Sequence, residues 1–174
     1  MAKKKKSNLG LLLSACAALF AVLAVCMLFV KSISVVSGKN ELQSFTGLQV
    51  AFGYSEEIAN QKIGILKFSF MNLLPYLLMI GALVVSVLSA KKNSFLLNVI
   101  AAALGVVAAI FFFSATAYVC VAGTEGSGFF SGIWKNVIDA LKDSDNLKIA
   151  IGSILGGVFS IISAICSAAK IIVK

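Results

Sequence analysis

The chain contains no histidine and no arginine, one proline and one tryptophan, and no acidic residue inside any of its four long apolar runs. Each absence removes a class of chemistry. Without histidine there is no ring nitrogen for a metal and no neutral-pH base to activate a serine or cysteine nucleophile. Without a carboxylate in the apolar runs there is no proton relay or ion-coordinating group of the kind that active transporters carry inside a membrane. The four cysteines, Cys16, Cys26, Cys120 and Cys166, include no CxxC pair and all lie within apolar runs. They read as small buried hydrophobes, with no disulfide framework outside the membrane. The sequence therefore predicts no catalytic residue, no cofactor and no metal ligand.

What is present is apolar surface. Hydrophobic residues make up 60% of the chain and charged residues 13%, with a mean hydropathy of +1.01, far from an average soluble domain. The apolar residues gather in four runs, Leu9 to Val30, Phe68 to Ala90, Phe95 to Ala122 and Ile149 to Ala169. Each reaches the roughly 20 residues that a helix needs to cross about 30 Å of hydrocarbon. The expected fold is an all-α membrane protein, a single domain over 1–174. It is a four-transmembrane-helix bundle with spans at about 9–30, 68–90, 95–122 and 149–169 and outer loops at 31–67 and 123–148.

Charge orients this arrangement. Lys3 to Lys6, Lys91 and Lys92, and the tail lysines Lys170 and Lys174 carry positive charge with no acid among them, whereas all seven acids fall in 31–67 and 123–148 beside seven lysines. The purely basic segments belong on the cytoplasmic side, so both termini are expected inside, in a multi-pass protein of the plasma membrane. The net charge of +8 then reflects topology and attraction to anionic headgroups, and no nucleic-acid partner is expected. Four lysines ahead of Leu9 to Val30 resemble a secretory signal, but the run exceeds an ordinary signal core and reads as an uncleaved first span. Leu13-Ser14-Ala15-Cys16 matches a bacterial lipobox; its short apolar lead and the membrane-spanning sequence behind it argue against lipidation of Cys16.

The fourth run carries the sharpest pattern. Gly152, Gly156, Ser160, Ala164 and Ala168 recur every fourth residue, with Ser153 and Gly157 widening the small surface. Such a face lets another backbone approach closely, the usual basis of helix association in lipid. The third run echoes it with Ala101, Gly105 and Ala109, and the first with Ala17 and Ala21. Polar residues in the runs are mild. Asn72 and Asn98 fall near span ends, where water or headgroups would satisfy them, and serine hydroxyls are expected to bond back to the preceding turn. Pro75 is expected to start or kink the second span.

The outer segments differ from each other. In 31–67, Ile33-Ser34-Val35 and Val50 to Tyr54 alternate like strands, with a Gly38-Lys39-Asn40 turn signal between them, and Ile63 to Phe68 is either a further strand or the helical lead-in to the second span. A small antiparallel β-sheet capping the outer end of the bundle is expected there. In 123–148, Phe129, Phe130, Ile133, Trp134, Val137, Ile138 and Leu141 repeat at helical spacing opposite a polar side, giving an amphipathic interfacial helix. Phe52, Phe129, Phe130 and Trp134 are the candidate outer-face contacts.

Inside termini, a longer first outer loop with strand character, a short inner turn and a shorter second outer loop together resemble the layout of claudin-like tetraspan proteins. The likeness is one of topology. The loop tryptophan and cysteine pair of that family are missing, and Gly47-Leu48 is followed by Gln49, so a junctional role is not carried over. The functional expectation is a small non-enzymatic integral membrane protein with a structural, accessory or interaction role. Its partners would be the lipid bilayer and another membrane protein or a second copy of itself. The alternative is a passive pore or small-molecule transporter with an uncharged polar pathway.

Overall fold

The computed structural model describes residues 2–37, 40–58, 61–92, 94–122, 139, 141–142 and 144–173. Among them, four helices are long and apolar enough to cross a membrane, and a small antiparallel sheet accompanies them. In chain order the elements are α1 (Ala2–Cys26), β1 (Lys31–Ser37), β2 (Asn40–Thr46), α2 (Gly47–Phe52), β3 (Tyr54–Ile58), β4 (Gln61–Leu66), α3 (Phe70–Lys92), α4 (Phe95–Phe113), β5 (Leu147–Ile149) and α5 (Ile151–Ile172). They form two compact units. A helical unit gathers Met1–Cys26, Leu74–Phe112 and Leu155–Lys174, and a sheet unit gathers Met27–Leu73 and Phe113–Ile154.

In the sheet unit, β1 is the central strand of the order β2-β1-β5, antiparallel to both neighbours, and β3 and β4 make a separate antiparallel hairpin. Ile33 and Val35 of β1 join Phe45, Val50, Ile65, Leu66, Ala115 and Leu141 in one apolar core, and the Phe45 ring meets Tyr54 edge-on at 5.9 Å. Period-two alternation is what allows this, because it sends Ile33 and Val35 to the same face. The strand expected at Ile33 to Val35 is present as β1, and of the two readings open for Ile63 onward the strand is the one formed, as β4.

Val50 to Phe52 departs from expectation, forming α2 rather than a strand. Thr46 nucleates that helix. Its hydroxyl accepts from the Gln49 amide at 3.3 Å while the Gln49 side chain accepts from the Thr46 amide at 2.9 Å, a reciprocal capping box. Gly53 ends the helix at φ +91°, and a Cβ there would lie 2.8 Å from the Leu66 carbonyl oxygen. Only glycine fits that turn without strain.

The third run also departs from its expected length. Helix α4 stops at Phe113, and Ala115 to Tyr118 form a 3₁₀ turn. The chain then extends, so that Val121 bridges Leu66, the Ala122 amide donates to the Ile65 carbonyl at 3.0 Å and the Lys67 amide donates to the Cys120 carbonyl at 2.8 Å. A continuous apolar run does not by itself separate a helix from a buried strand. Here β-branched Val119 and Val121 pack on the sheet unit's core, and that packing prevails.

In the helical unit, small residues set the spacing. A Cβ on Gly105 of α4 would lie 2.9 Å from the Ser160 carbonyl oxygen and 3.0 Å from the Ala164 side chain on α5. One on Gly156 would lie 2.8 Å from the ring of Phe112, which itself stands edge-on to Tyr76 at 5.0 Å. Helix α1 lies along α5: Phe20 meets Phe159 at 6.0 Å, and the Ser163 hydroxyl donates to the Ala17 carbonyl at 2.8 Å. Pro75 sits inside α3 and is buried.

Candidate functional site

The polar residues of α5 form a stripe. Ser160, Ser163, Ser167 and Lys170 of the helical unit are all buried, at spacings of three and four that keep them on one side of the helix. Ser160 bonds back to the Gly156 carbonyl at 2.7 Å, the local pattern expected of a hydroxyl in an apolar helix.

Lys170, expected in a cytoplasmic tail, stands instead in the last turn of α5, with only 4% of its surface exposed. Helix α5 continues to Ile172, and the lysine points among the neighbouring helices. Its Nζ donates to Ser14 Oγ of α1 at 2.6 Å, to the Ser89 carbonyl of α3 at 2.8 Å and to Ser89 Oγ at 2.9 Å. The Ser89 hydroxyl donates its own proton to Asn98 Oδ1 at the start of α4. One connected set of hydrogen bonds thereby takes a residue from each of the four long helices. Gly10 of α1 lies beside the lysine stem; a Cβ there would stand 4.0 Å from Lys170 Cε, an ordinary contact.

The cluster explains why these polar groups tolerate burial. A buried amine, amide or hydroxyl without a partner costs roughly 1 to 3 kcal/mol, and a charged one more. Ser14, Ser89, Asn98 Oδ1 and Lys170 satisfy one another. Among the described residues, the buried atoms Asn98 Nδ2, Ser86 Oγ and, in the sheet unit, Glu56 Oε2 have no hydrogen-bond partner. Asn98, expected to rely on water or headgroups, relies on Ser89. Asn72 likewise finds protein partners, donating to the Tyr118 carbonyl at 2.9 Å and to Ser69 Oγ at 3.2 Å, while Ser69 donates to the same carbonyl at 2.7 Å. In the sheet unit, Ser153 and Ser32 share a hydrogen bond of 2.5 Å.

A lysine amine beside a serine hydroxyl is also a pairing that activates serine nucleophiles. Here the hydroxyls are enclosed. Ser14 is 4% exposed and Ser89 1%, and both oxygens accept from Nζ. Among the described residues no group of three or more His, Cys, Asp or Glu side chains could hold a metal ion.

Of the residues singled out by spacing, Gly152, Gly156, Ser160 and Ala164 are buried and Ala168 is exposed. Gly152 meets main chain: a Cβ there would lie 2.6 Å from the Lys31 carbonyl oxygen. The exposure of Ala168 follows from helix geometry. Every-fourth spacing advances about 40° per step, so Ala168 lies about 160° around the axis from Gly152. Ser163, Ser167 and Lys170 hold the buried side there instead. Phe52 ends α2, exposed and in tilted ring contact with Phe68, their centroids 6.3 Å apart. Phe129, Phe130 and Trp134 lie outside the described residues. Of the expected amphipathic helix, Leu141 is buried in the sheet unit's core, and Lys142 is exposed and faces Asp139 at 3.6 Å.

Spacing puts the lysine on the same helix side as the serines but does not show that it turns inward. Ser160, Ser163, Ser167 and Lys170 repeat at helical intervals, and ending the span at Ala169 hides the signal. Comparison with protein-family models, curated proteins and solved structures gives no match to this chain.

Proposed function

We propose that the chain is a small, non-enzymatic, four-span protein of the plasma membrane with a structural, accessory or interaction role. The Ser14–Lys170–Ser89–Asn98 cluster carries this reading. It joins one residue from each long helix and, Asn98 Nδ2 apart, directs its hydroxyl, amide-oxygen and amine groups at one another, the behaviour of a fastener rather than of a binding site. An intramembrane lysine is a functional residue by default. In this case the function is to hold the inner ends of four helices together with hydrogen bonds that strengthen where water is scarce. With Lys170 withdrawn into the helices, Lys3 to Lys6, Lys91, Lys92 and Lys174 still leave the proposed cytoplasmic segments basic and free of acids, so both termini stay inside.

The test uses the full chain in liposomes. Ion and small-solute permeability equal to that of empty vesicles, and no labelling by a serine-directed fluorophosphonate, are the expected results. Flux above the empty-vesicle level that Ser89→Ala abolishes would make the polar stripe a conduction path. Labelling of Ser14 or Ser89 would make the lysine a catalytic base. Crosslinking in native membranes followed by mass spectrometry then identifies what the protein accompanies.

A further inference from the structure

Helix α2 has no charged residue, and both of its ends are tied to places where a candidate span begins or stops. The Gly47 amide donates to the Val30 carbonyl at 3.1 Å, and the Ala51 carbonyl accepts from the Ser69 amide at 2.9 Å. Val30 directly follows the first candidate span, Asn8–Phe29, and Ser69 directly precedes the second, Phe70–Lys92. The helix is strapped between an exit and an entry. Its inner face, Gly47, Val50 and Ala51, is buried, while Leu48 and Phe52, one turn apart, face outward. Phe52 and its partner Phe68 are each 54% exposed, and Phe29, beside the first tie point, is exposed as well. Lys31 and Lys67, close in sequence to these apolar residues, are exposed.

We propose that α2 is a lipid-contacting element. Leu48, Phe52, Phe68 and Phe29 are seated in the interfacial layer of the bilayer, and Lys31 and Lys67 reach the lipid phosphates. The proposal rests on the four-span reading. Two hydrogen bonds to span ends hold α2 within about one helix diameter, roughly 10 Å, of the membrane boundary. A water-facing seat at that height would leave four large apolar side chains in solvent, whereas the interfacial layer accepts aromatic and aliphatic groups beside snorkelling lysines. Phe52 is thereby assigned to lipid and removed from the surface available to a protein partner.

Fluorescence tests this directly, because the chain has one tryptophan. In a Trp134→Phe background, Phe52→Trp is reconstituted as the full chain in liposomes with and without brominated phosphatidylcholine, and iodide is added from the aqueous side. A matched protein carries Val84→Trp on the exposed side of α3. Loss of indole emission from the Phe52→Trp protein with bromolipid, with little loss to iodide, is the expected result. Quenching by iodide alone overturns the proposal in favour of water. Protection from both quenchers overturns it in favour of a second copy or another protein covering the site. If Val84→Trp is quenched by bromolipid and Phe52→Trp is not, the spans stand and the proposal falls; if neither is quenched, the four-span reading falls with it. Leu48→Trp, judged by the same outcomes, replaces Phe52→Trp should that variant fail to fold.

Discussion

In the sheet unit a glycine of α5 makes room for a carbonyl, and one turn later, in the helical unit, a glycine of the same helix makes room for an aromatic ring. A Cβ on Gly152 would lie 2.6 Å from the Lys31 oxygen and 3.0 Å from that of Val30, both part of the main chain leading into β1. One on Gly156 would meet the edge of Phe112. The ring can turn or slide; the carbonyls are held by the strand they begin. The same division runs through the hydrogen bonds. The sheet unit is knitted by backbone ladders with side-chain ties from Ser32, Ser34, Ser69 and Asn72 added to them, while in the helical unit the bonds between helices come from the side chains of Ser14, Ser89, Asn98, Ser163 and Lys170. Accuracy of main-chain placement matters most in one unit, and completeness of a side-chain network in the other.

Three substitutions sharpen this contrast. Gly152→Val is expected to have the largest effect, about 3 kcal/mol or more, at the top of the overpacking range, because the obstructing atoms are backbone. Thermal unfolding in detergent would show it as a large fall in Tm or a loss of folded protein. Retention of wild-type stability would mean that α5 shifts freely against β1. Ser89→Ala comes next, at about 1 to 3 kcal/mol, since it removes an acceptor from Lys170 and the donor to Asn98 and leaves buried polar atoms unpaired. Ser86→Ala, one turn away, is expected to stay within about 0.5 kcal/mol of wild type, because its hydroxyl already lacks a partner. Equal losses from the two serine variants would show that the cluster contributes no more than bulk packing.

The four long helices are legible because hydrophobic length is a property of whole segments, and small local errors average out. The sheet strand at Ile33 is legible from alternation, whereas Ile63 to Phe68 is open from sequence between a strand and the start of the next helix. What escapes depends on single atoms or distant partners. Val50 to Phe52 alternates like a strand, but the Thr46–Gln49 capping box fixes the local backbone as helix, and that signal is a pair of residues rather than a pattern. The extension from Val119 to Ala122 is decided by Ile65 and Leu66, over fifty residues upstream. Lys170 escapes for a different reason. Charge at the edge of an apolar run ordinarily marks the membrane boundary, and only its partners Ser14 and Ser89, on other helices, show that this lysine points inward.

The bond between Ser14 and Lys170 joins residues 156 positions apart. During synthesis, α1 is therefore made long before the residue that completes its contacts exists. Until α5 emerges, the Ser14 and Ser89 hydroxyls lack their lysine donor, and the face of α1 around Ala17 has no Ser163 to close it. A chain truncated before Ile151 keeps three of the four long apolar helices and leaves the Ser14 and Ser89 hydroxyls without that donor.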